Sequence, residues 1–303
     1  VLSNNSLLIL FSGQEHIRNN DVFYKYRQSS NFFYLTGIND SNLVLLIEKI
    51  NNKINSTLIC PRPNEIDKIW TGQLPTSSTY KKTFNIDSVI YDDQIESLQL
   101  SEYKNLYSEF NDNSRVNKFL GEIKNHQLNR YLREGKNFSN RIDISEILFE
   151  MRRIKNKFEI KQIKTAAKIS SKAHIDLIKN CKPGISEYEL EANFINICMK
   201  NKCEQAYPAI VASGKNSRIL HYTKNDCILK DGDLLLVDAA AEYNNYASDI
   251  TRTIPVSGKY SSAQRKVYDV VLHAQKEAIK FCKVGKTMLD VHKTAVKFIS
   301  IGL

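Results

Sequence analysis

The feature that most constrains this chain is a pair of aspartates, Asp238 and Asp249, that flank a predicted β-hairpin. The apolar run 234–237 is typical of a buried strand, and its partner strand is predicted at 246–253. Between the two strands stands Asn244-Asn245. Asparagine adopts the positive φ of a tight turn more readily than most residues, so the sequence predicts a hairpin with a two-residue turn.

This register places the two carboxylates on one face of the hairpin. Asp238 is expected opposite Thr251 and Asp249 opposite Ala240, so the aspartates become diagonal neighbours with backbones roughly 7–8 Å apart. Their side chains can then reach the spacing of roughly 3.5–4 Å at which two metals lie in a hydrolase site. Two acids this close repel each other unless a cation lies between them. The alternative is a pair of solvated aspartates, because strands often expose alternate residues.

Composition narrows the classes of protein further. The 303 residues carry a net charge of +10, but the lysines alternate with acids and form no basic stripe with aromatics, so no nucleic-acid partner is expected. No segment approaches the roughly 20 apolar residues that cross a bilayer, so no membrane partner is expected either. The six cysteines form no close Cys-x-x-Cys pair, which favours reduced thiols and a cytoplasmic protein.

The first part of the chain, residues 1–140, alternates short strands and helices and is expected to form a small α/β domain. Its clearest elements are strands predicted at 7–11, 43–47 and 57–60 and a helix predicted at 114–132. The polar run 137–141 lies between patterned segments and is predicted to be a hinge.

The second part, residues 145–303, is expected to form another domain in which long helices dominate. Its first long helix is predicted to end before Pro183-Gly184, and a new helix is predicted to begin at Ser186, which forms a capping box with Glu189. The apolar stripe of the first long helix is predicted to consist of Ile160, Ile163, Ala167, Ile169, Ala173 and Leu177.

A short pattern occurs twice in this second part. Residues 178–186 read Ile-Lys-Asn-Cys-Lys-Pro-Gly-Ile-Ser, and residues 279–287, at an offset of 101, read Ile-Lys-Phe-Cys-Lys-Val-Gly-Lys-Thr. Asp290 then stands where Glu189 stands in the first copy. The repetition predicts a duplicated unit, with two related halves around a shared site. Strands equivalent to those of the first copy would fall beyond residue 303, so the chain is expected to be truncated at its C-terminus.

Four segments of the second part together resemble the pita-bread metallopeptidases. They are Ile219-Leu-His-Tyr-Thr223, Asp231-Gly-Asp-Leu-Leu-Leu-Val-Asp-Ala-Ala240, Ser248-Asp-Ile-Thr-Arg-Thr253 and Gln264-Arg-Lys-Val-Tyr-Asp269. Near the N-terminus, Tyr26-Arg-Gln-Ser-Ser-Asn-Phe-Phe-Tyr-Leu-Thr-Gly37 resembles the non-catalytic domain of the Xaa-Pro aminopeptidases (aminopeptidase P), which favours them over methionine aminopeptidase. The resemblance implies an α/β N-terminal domain and an α+β pita-bread (creatinase/aminopeptidase) catalytic domain, incomplete at its C-terminus.

The resemblance also implies roles for individual residues. Asp238 and Asp249 match the first two ligands of two divalent metal ions, expected to be Mn²⁺, and His221 matches a histidine that contacts substrate and assists proton transfer. Trp70 matches a tryptophan that reaches a neighbouring subunit's site in tetrameric relatives, with a packed core position as the alternative. Thr251 is expected to orient a ligand carboxylate, with a filler role in the strand as the alternative.

The implied activity is removal of the N-terminal residue from peptides with proline in second position, by a homo-oligomer (dimer or tetramer). The family's other ligands, one histidine and two glutamates, would lie beyond residue 303. The 303-residue chain alone is therefore expected to bind Mn²⁺ weakly and to show little or no peptidase activity. Two alternatives stay open at this point: a prolidase or creatinase-like hydrolase of the same fold, and a non-catalytic binding relative.

Overall fold

The computed structural model describes residues 2–98, 103–122 and 140–303. The chain divides into two compact units, Val1–Asn156 and Lys157–Leu303, which are considered separately below. Within the described ranges, the helices are too short or too polar to cross a membrane.

The first unit is built on a six-stranded mixed sheet in the order β6-β5-β4-β1-β7-β8, with a separate small hairpin formed by β2 and β3. Its strands are β1 (Ser6–Phe11), β2 (Ile17–Asn19), β3 (Val22–Phe23), β4 (Val44–Ile50), β5 (Lys53–Cys60), β6 (Ser88–Tyr91), β7 (Asn105–Ser108) and β8 (Asn140–Asp143). Its helices are α1 (Ser30–Thr36), α2 (Glu65–Thr71), α3 (Ser77–Thr83), α4 (residues 113–122) and α5 (Ser145–Arg153).

Strand β1 is buried along its whole length because helices cover both faces of the sheet. Leu7 and Ile9 share one apolar cluster with Phe119 of α4, whereas Leu10 belongs to a second cluster with Phe32 of α1. Alternate residues of a strand point to opposite faces, so a continuous apolar run is what a strand buried on both sides requires.

The sequence predictions for this unit were partly correct. The strands predicted at 7–11, 43–47 and 57–60 are confirmed as β1, β4 and the second half of β5. The helix predicted at 114–132 is confirmed as far as residue 122, and the remainder lies outside the described residues, as does most of the predicted hinge.

At Asn140 and Arg141 the hinge prediction is wrong, because both residues belong to strand β8 and pair with β7. Strand β8 is the last strand of the sheet, and its first two residues are exposed. An edge strand of this kind can carry polar residues, so its sequence resembles that of a linker.

The second unit combines four helices with two three-stranded sheets, ordered β10-β11-β14 and β13-β12-β9. Its strands are β9 (Glu204–Gln205), β10 (Ile210–Ser213), β11 (Leu234–Asp238), β12 (Ala241–Tyr243), β13 (Tyr246–Ala247) and β14 (Thr251–Pro255). Its helices are α6 (Lys157–Asn180), α7 (Glu187–Lys200), α8 (Ser262–Phe281) and α9 (Met288–Gly302).

Helices α6 and α7 pack on strands β10 and β11 to form the core of this unit. The predicted stripe of α6 is confirmed at Ile169, Ala173 and Leu177, which are buried, but it is wrong at Ile160, which is 42% exposed. The buried face of α6 also includes the polar residues Ser170 and His174. A pattern of apolar residues alone cannot show that polar side chains belong to the buried face.

The repeated sequence pattern produces the same local structure twice. Gly184 and Gly285 follow the ends of α6 and α8 with φ values of 89° and 85°, a conformation that side chains disfavour. Ser186 at the start of α7 and Thr287 at the start of α9 then form capping boxes with the acidic residue three positions later. The repeat is therefore confirmed at the level of local structure. The two copies differ in packing, because α9 buries none of its residues.

Candidate metal centre

The hairpin that carries the two aspartates has the predicted register. Asp238 pairs with Thr251, and Tyr243 pairs with Tyr246 at the other end of the ribbon. The turn residues between them, Asn244 and Asn245, have φ values of 50° and 61°. Two successive positive φ values match the right-handed twist of a hairpin, and asparagine tolerates them.

The two carboxylates meet at one hydroxyl group. The Tyr207 hydroxyl lies 2.5 Å from Oδ1 of Asp238 and 3.1 Å from Oδ1 of Asp249. Burial raises the pKa of Tyr207, and its hydrogen bonds to the two carboxylates raise it further, so the hydroxyl stays a donor. Tyr207 was not among the residues singled out from the sequence, since it is far from both aspartates along the chain.

The aspartates, Tyr207 and His221 line the same cavity. This cavity has a volume of about 340 Å³, and its remaining lining residues are Pro208, Ile210 and Thr223. His221 is exposed and follows a short turn at Gly214–Arg218. The structure therefore brings together the three residues for which the sequence predicted metal binding and proton transfer.

Helix α6 supports the hairpin through buried polar contacts. The buried hydroxyl of Ser170 lies 2.8 Å from the hydroxyl of Ser248, next to Asp249, and accepts a hydrogen bond from the Ala241 backbone N–H at 2.7 Å. One turn later, His174 Nε2 lies 2.8 Å from the carbonyl oxygen of Ala239, next to Asp238. These contacts fix the backbone beside each carboxylate.

The contact with Ala239 determines the tautomer of His174. A carbonyl oxygen only accepts, so Nε2 carries the proton, and Nδ1 has no hydrogen-bond partner in the described structure. The side chain is buried, and this burial lowers the pKa of His174. His174 is thus a neutral donor that holds the backbone directly after Asp238.

Two other predicted site residues lie apart from this cluster. Thr251 is opposite Asp238 in the ladder and exposed, and in the described part of the chain its hydroxyl forms no hydrogen bond to either carboxylate. Trp70 belongs to α2 in the first unit, and its side chain is 77% exposed. The alternative that Trp70 occupies a core position is therefore wrong.

The donor set of the cavity fits a divalent cation. Asp238 and Asp249 form no ion pair with a lysine, arginine or histidine of the described residues, and they share the neutral hydroxyl of Tyr207. Carboxylate oxygens are the ligands that Mg²⁺ and Mn²⁺ prefer. The two aspartates belong to no group of three close His, Cys, Asp or Glu ligands in the described ranges, so they offer an incomplete coordination shell.

Comparison with known proteins agrees with this geometry. Residues 161–303 match the model of metallopeptidase family M24, and residues 1–107 match the aminopeptidase P N-terminal domain. The Xaa-Pro aminopeptidase of Haemophilus influenzae is 35% identical over 302 residues, which are 99% of this chain and 68% of that protein. The Xaa-Pro aminopeptidase of Escherichia coli K12 is 33% identical, over 98% of this chain and 69% of that protein.

Solved structures give the same result for the fold. Proline aminopeptidase P II from Yersinia pestis superposes with a TM-score of 0.93 at 32% identity, over 100% of this chain and 70% of that one. The low-pH form of E. coli aminopeptidase P superposes with a TM-score of 0.94 at 30% identity and the same coverage. The chain therefore belongs to metallopeptidase family M24, with a pita-bread domain that follows the N-terminal domain of aminopeptidase P.

Proposed function

We propose that this protein is a metal-dependent exopeptidase that removes the N-terminal residue from peptides with proline in second position. The observation that carries the proposal is the cavity shared by Asp238, Asp249 and His221. Relatives named Xaa-Pro aminopeptidase, similar over nearly the whole chain, support this activity over that of a prolidase or a non-catalytic relative.

Asp238 and Asp249 would hold two divalent ions, for which we propose Mn²⁺. When bound, such ions supply Lewis-acid activation of the scissile carbonyl and of the attacking water. The hydroxyl of Tyr207 holds the two carboxylates together, and Ser170 and His174 fix the backbone that bears them. Thr251, which pairs with Asp238 in the ladder, is proposed to orient a ligand carboxylate once the cation is bound.

His221 is assigned to substrate contact and proton transfer, because among the described residues it supplies the imidazole that lines this cavity. Histidine suits proton transfer since its unperturbed pKa lies near neutral pH.

The exposed Trp70 is assigned to a neighbouring subunit's site, which requires a homo-oligomer, a dimer or a tetramer. We propose residues 1–140 as the N-terminal domain and 145–303 as the catalytic domain, although the compact units divide later, between Asn156 and Lys157. The six free cysteines favour the cytoplasm as the compartment.

The proposal is tested by hydrolysis of an Xaa-Pro-Xaa tripeptide by the intact gene product with Mn²⁺. We expect release of the first residue, loss of activity in Asp238→Asn, and no cleavage of the N-acetylated peptide, whose α-amino group is blocked. An Xaa-Ala-Xaa tripeptide and an Xaa-Pro dipeptide serve as controls. Preference for the dipeptide would indicate a prolidase and would contradict the proposal.

A further inference from the structure

Glu187, the first residue of α7, carries a completely buried carboxylate that accepts hydrogen bonds from five donors. Its Oε1 accepts from the backbone N–H and the hydroxyl of Ser213, both at 2.7 Å, and from the Asn216 amide at 3.4 Å. Its Oε2 accepts from the Tyr222 hydroxyl at 2.8 Å and from the Cys227 backbone N–H at 3.0 Å. Glu187 forms no ion pair within the described ranges, so these donors and the start of a helix alone stabilise it.

All five donors belong to one short stretch of chain, residues 213–227, which we name the His221 segment. Ser213 stands at its beginning and Cys227 at its end, so one carboxylate fixes both ends. Tyr222, the residue directly after His221, is buried with its hydroxyl on Glu187, whereas His221 is exposed and forms no hydrogen bond within the described structure. The position of the imidazole therefore depends on the backbone that Glu187 holds.

A metal site is the other interpretation of this cluster, because ligand atoms of Glu187, Asp226 and Cys227 lie within 4.8 Å of one another. The hydrogen bonds argue against it. Both oxygens of Glu187 already accept from backbone N–H groups, and Asp226 forms an ion pair with Lys224 at 2.7 Å. A cation would have to displace donors that belong to the fold, so the cluster is a hydrogen-bond anchor.

We propose that Glu187 is a positioning residue for His221, holding the His221 segment so that the imidazole faces the cavity of Asp238 and Asp249. This proposal depends on the proposed function only for the role of His221 in the cavity. The positioning itself is a property of the fold and can be measured without peptidase activity.

The substitution Glu187→Gln provides a sharp test because it preserves the shape of the side chain. In either orientation the amide –NH₂ faces a backbone N–H, that of Ser213 or that of Cys227. A hydroxyl can rotate to accept a hydrogen bond, but a backbone N–H cannot. One end of the His221 segment is therefore released. A second anchor remains, since Asn225 bonds to the backbone of Ala209 and Val211 at 2.9 Å each.

The experiment compares Glu187→Gln with Glu189→Gln in the 303-residue chain. Glu189 undergoes the same change of charge two positions away, but it is exposed and caps only its own helix. Correlation spectra of ¹³C-labelled histidine, with His221 assigned through His221→Gln, report the imidazole. Hydrogen exchange reports the backbone of the segment. Ser213→Ala, which removes one hydroxyl donor, gives a milder version if Glu187→Gln does not fold.

We expect Glu187→Gln to shift and broaden the His221 signal while the Glu189→Gln spectrum matches the wild type. Amide exchange in the segment should become at least about tenfold faster, the order expected when one buried donor loses its acceptor. Ser213→Ala should shift the signal in the same direction by less. A His221 signal that responds equally to Glu187→Gln and Glu189→Gln would overturn the proposal. If Glu187→Gln mobilises His221 but the tripeptide assay of the intact gene product described above shows no cleavage, the positioning is supported and the proposed function is contradicted.

Discussion

The hydroxyl of Tyr207 lies 2.5 Å from Oδ1 of Asp238, and the same hydroxyl is 3.1 Å from Oδ1 of Asp249. A hydroxyl has one proton to donate, so it cannot satisfy two carboxylates fully. The remaining acceptor capacity of both aspartates lies at the cavity that His221 also lines. Two acids that share one neutral donor form a site that a bound divalent cation would stabilise.

Replacing Tyr207 with phenylalanine should destabilise the metal-free chain by about 1 kcal/mol, since a partly exposed hydrogen bond to a charged acceptor is lost. Added Mn²⁺ should reduce this loss, because the cation then relieves the repulsion between the carboxylates. Urea unfolding in EDTA and in Mn²⁺ measures both effects. Tyr243→Phe, on the same hairpin, is the control, as its hydroxyl forms no hydrogen bond in the described ranges. Equal losses in the two variants would refute the role of Tyr207.

Substitution of Ser170 by alanine should cost about 1–3 kcal/mol, because the buried N–H of Ala241 loses its acceptor. The neighbouring Ser171 is exposed, so Ser171→Ala should change the unfolding free energy by less than about 0.5 kcal/mol. The same urea measurement compares the two. If both substitutions lowered the unfolding free energy by a similar small amount, the contact of Ser170 in α6 with Ala241 would not hold the hairpin.

His174 should make stability depend on pH. Burial lowers its pKa in the folded chain below the ordinary value of 6.5, so the unfolded chain binds the proton more readily. The contribution is complete above about pH 6.5 and is lost as the pH falls from there towards the folded-state pKa. His174→Gln keeps a donor at the same reach but does not titrate. Its unfolding free energy should therefore fall less between about pH 7 and pH 5. Parallel pH profiles would contradict the assignment.

Trp70 is the single tryptophan of the chain, and its exposure makes it a reporter of assembly. At low protein concentration its fluorescence should be that of a solvated indole and should be quenched readily by iodide. If subunits associate over this side chain, the emission should shift to the blue as the concentration rises. Emission that stays constant while light scattering shows an oligomer would contradict a role for Trp70 at the interface.

The hairpin could be predicted from the sequence because its determinants are local. Asn244-Asn245 specifies the turn, and the turn fixes which residue faces which along both strands, as far as Asp238 and Thr251. The repeated glycine and helix caps are local for the same reason, since the Glu189 carboxylate accepts a hydrogen bond from the backbone N–H of Ser186, only three positions earlier.

The residues around the site were not predictable in this way because their partners are distant in the sequence. Tyr207 meets Asp249 across 42 positions, and Ser170 meets Ser248 across 78. Ser170 and His174 interrupt the apolar pattern of α6, so the pattern missed them, and it assigned to the buried face Ile160, which is 42% exposed. Glu187 has the sequence context of a first-turn acid, which is ordinarily exposed.

The most direct test of the central claim is a titration of the 303-residue chain with Mn²⁺, followed by electron paramagnetic resonance of the free ion. The wild type should bind weakly, since the described chain offers two carboxylates and no third close ligand. Asp249→Asn should weaken binding at least about tenfold, whereas Asp231→Asn, an exposed aspartate outside the cavity, should not change it. Equal Mn²⁺ affinity in wild type and Asp249→Asn would show that these carboxylates do not form a metal site.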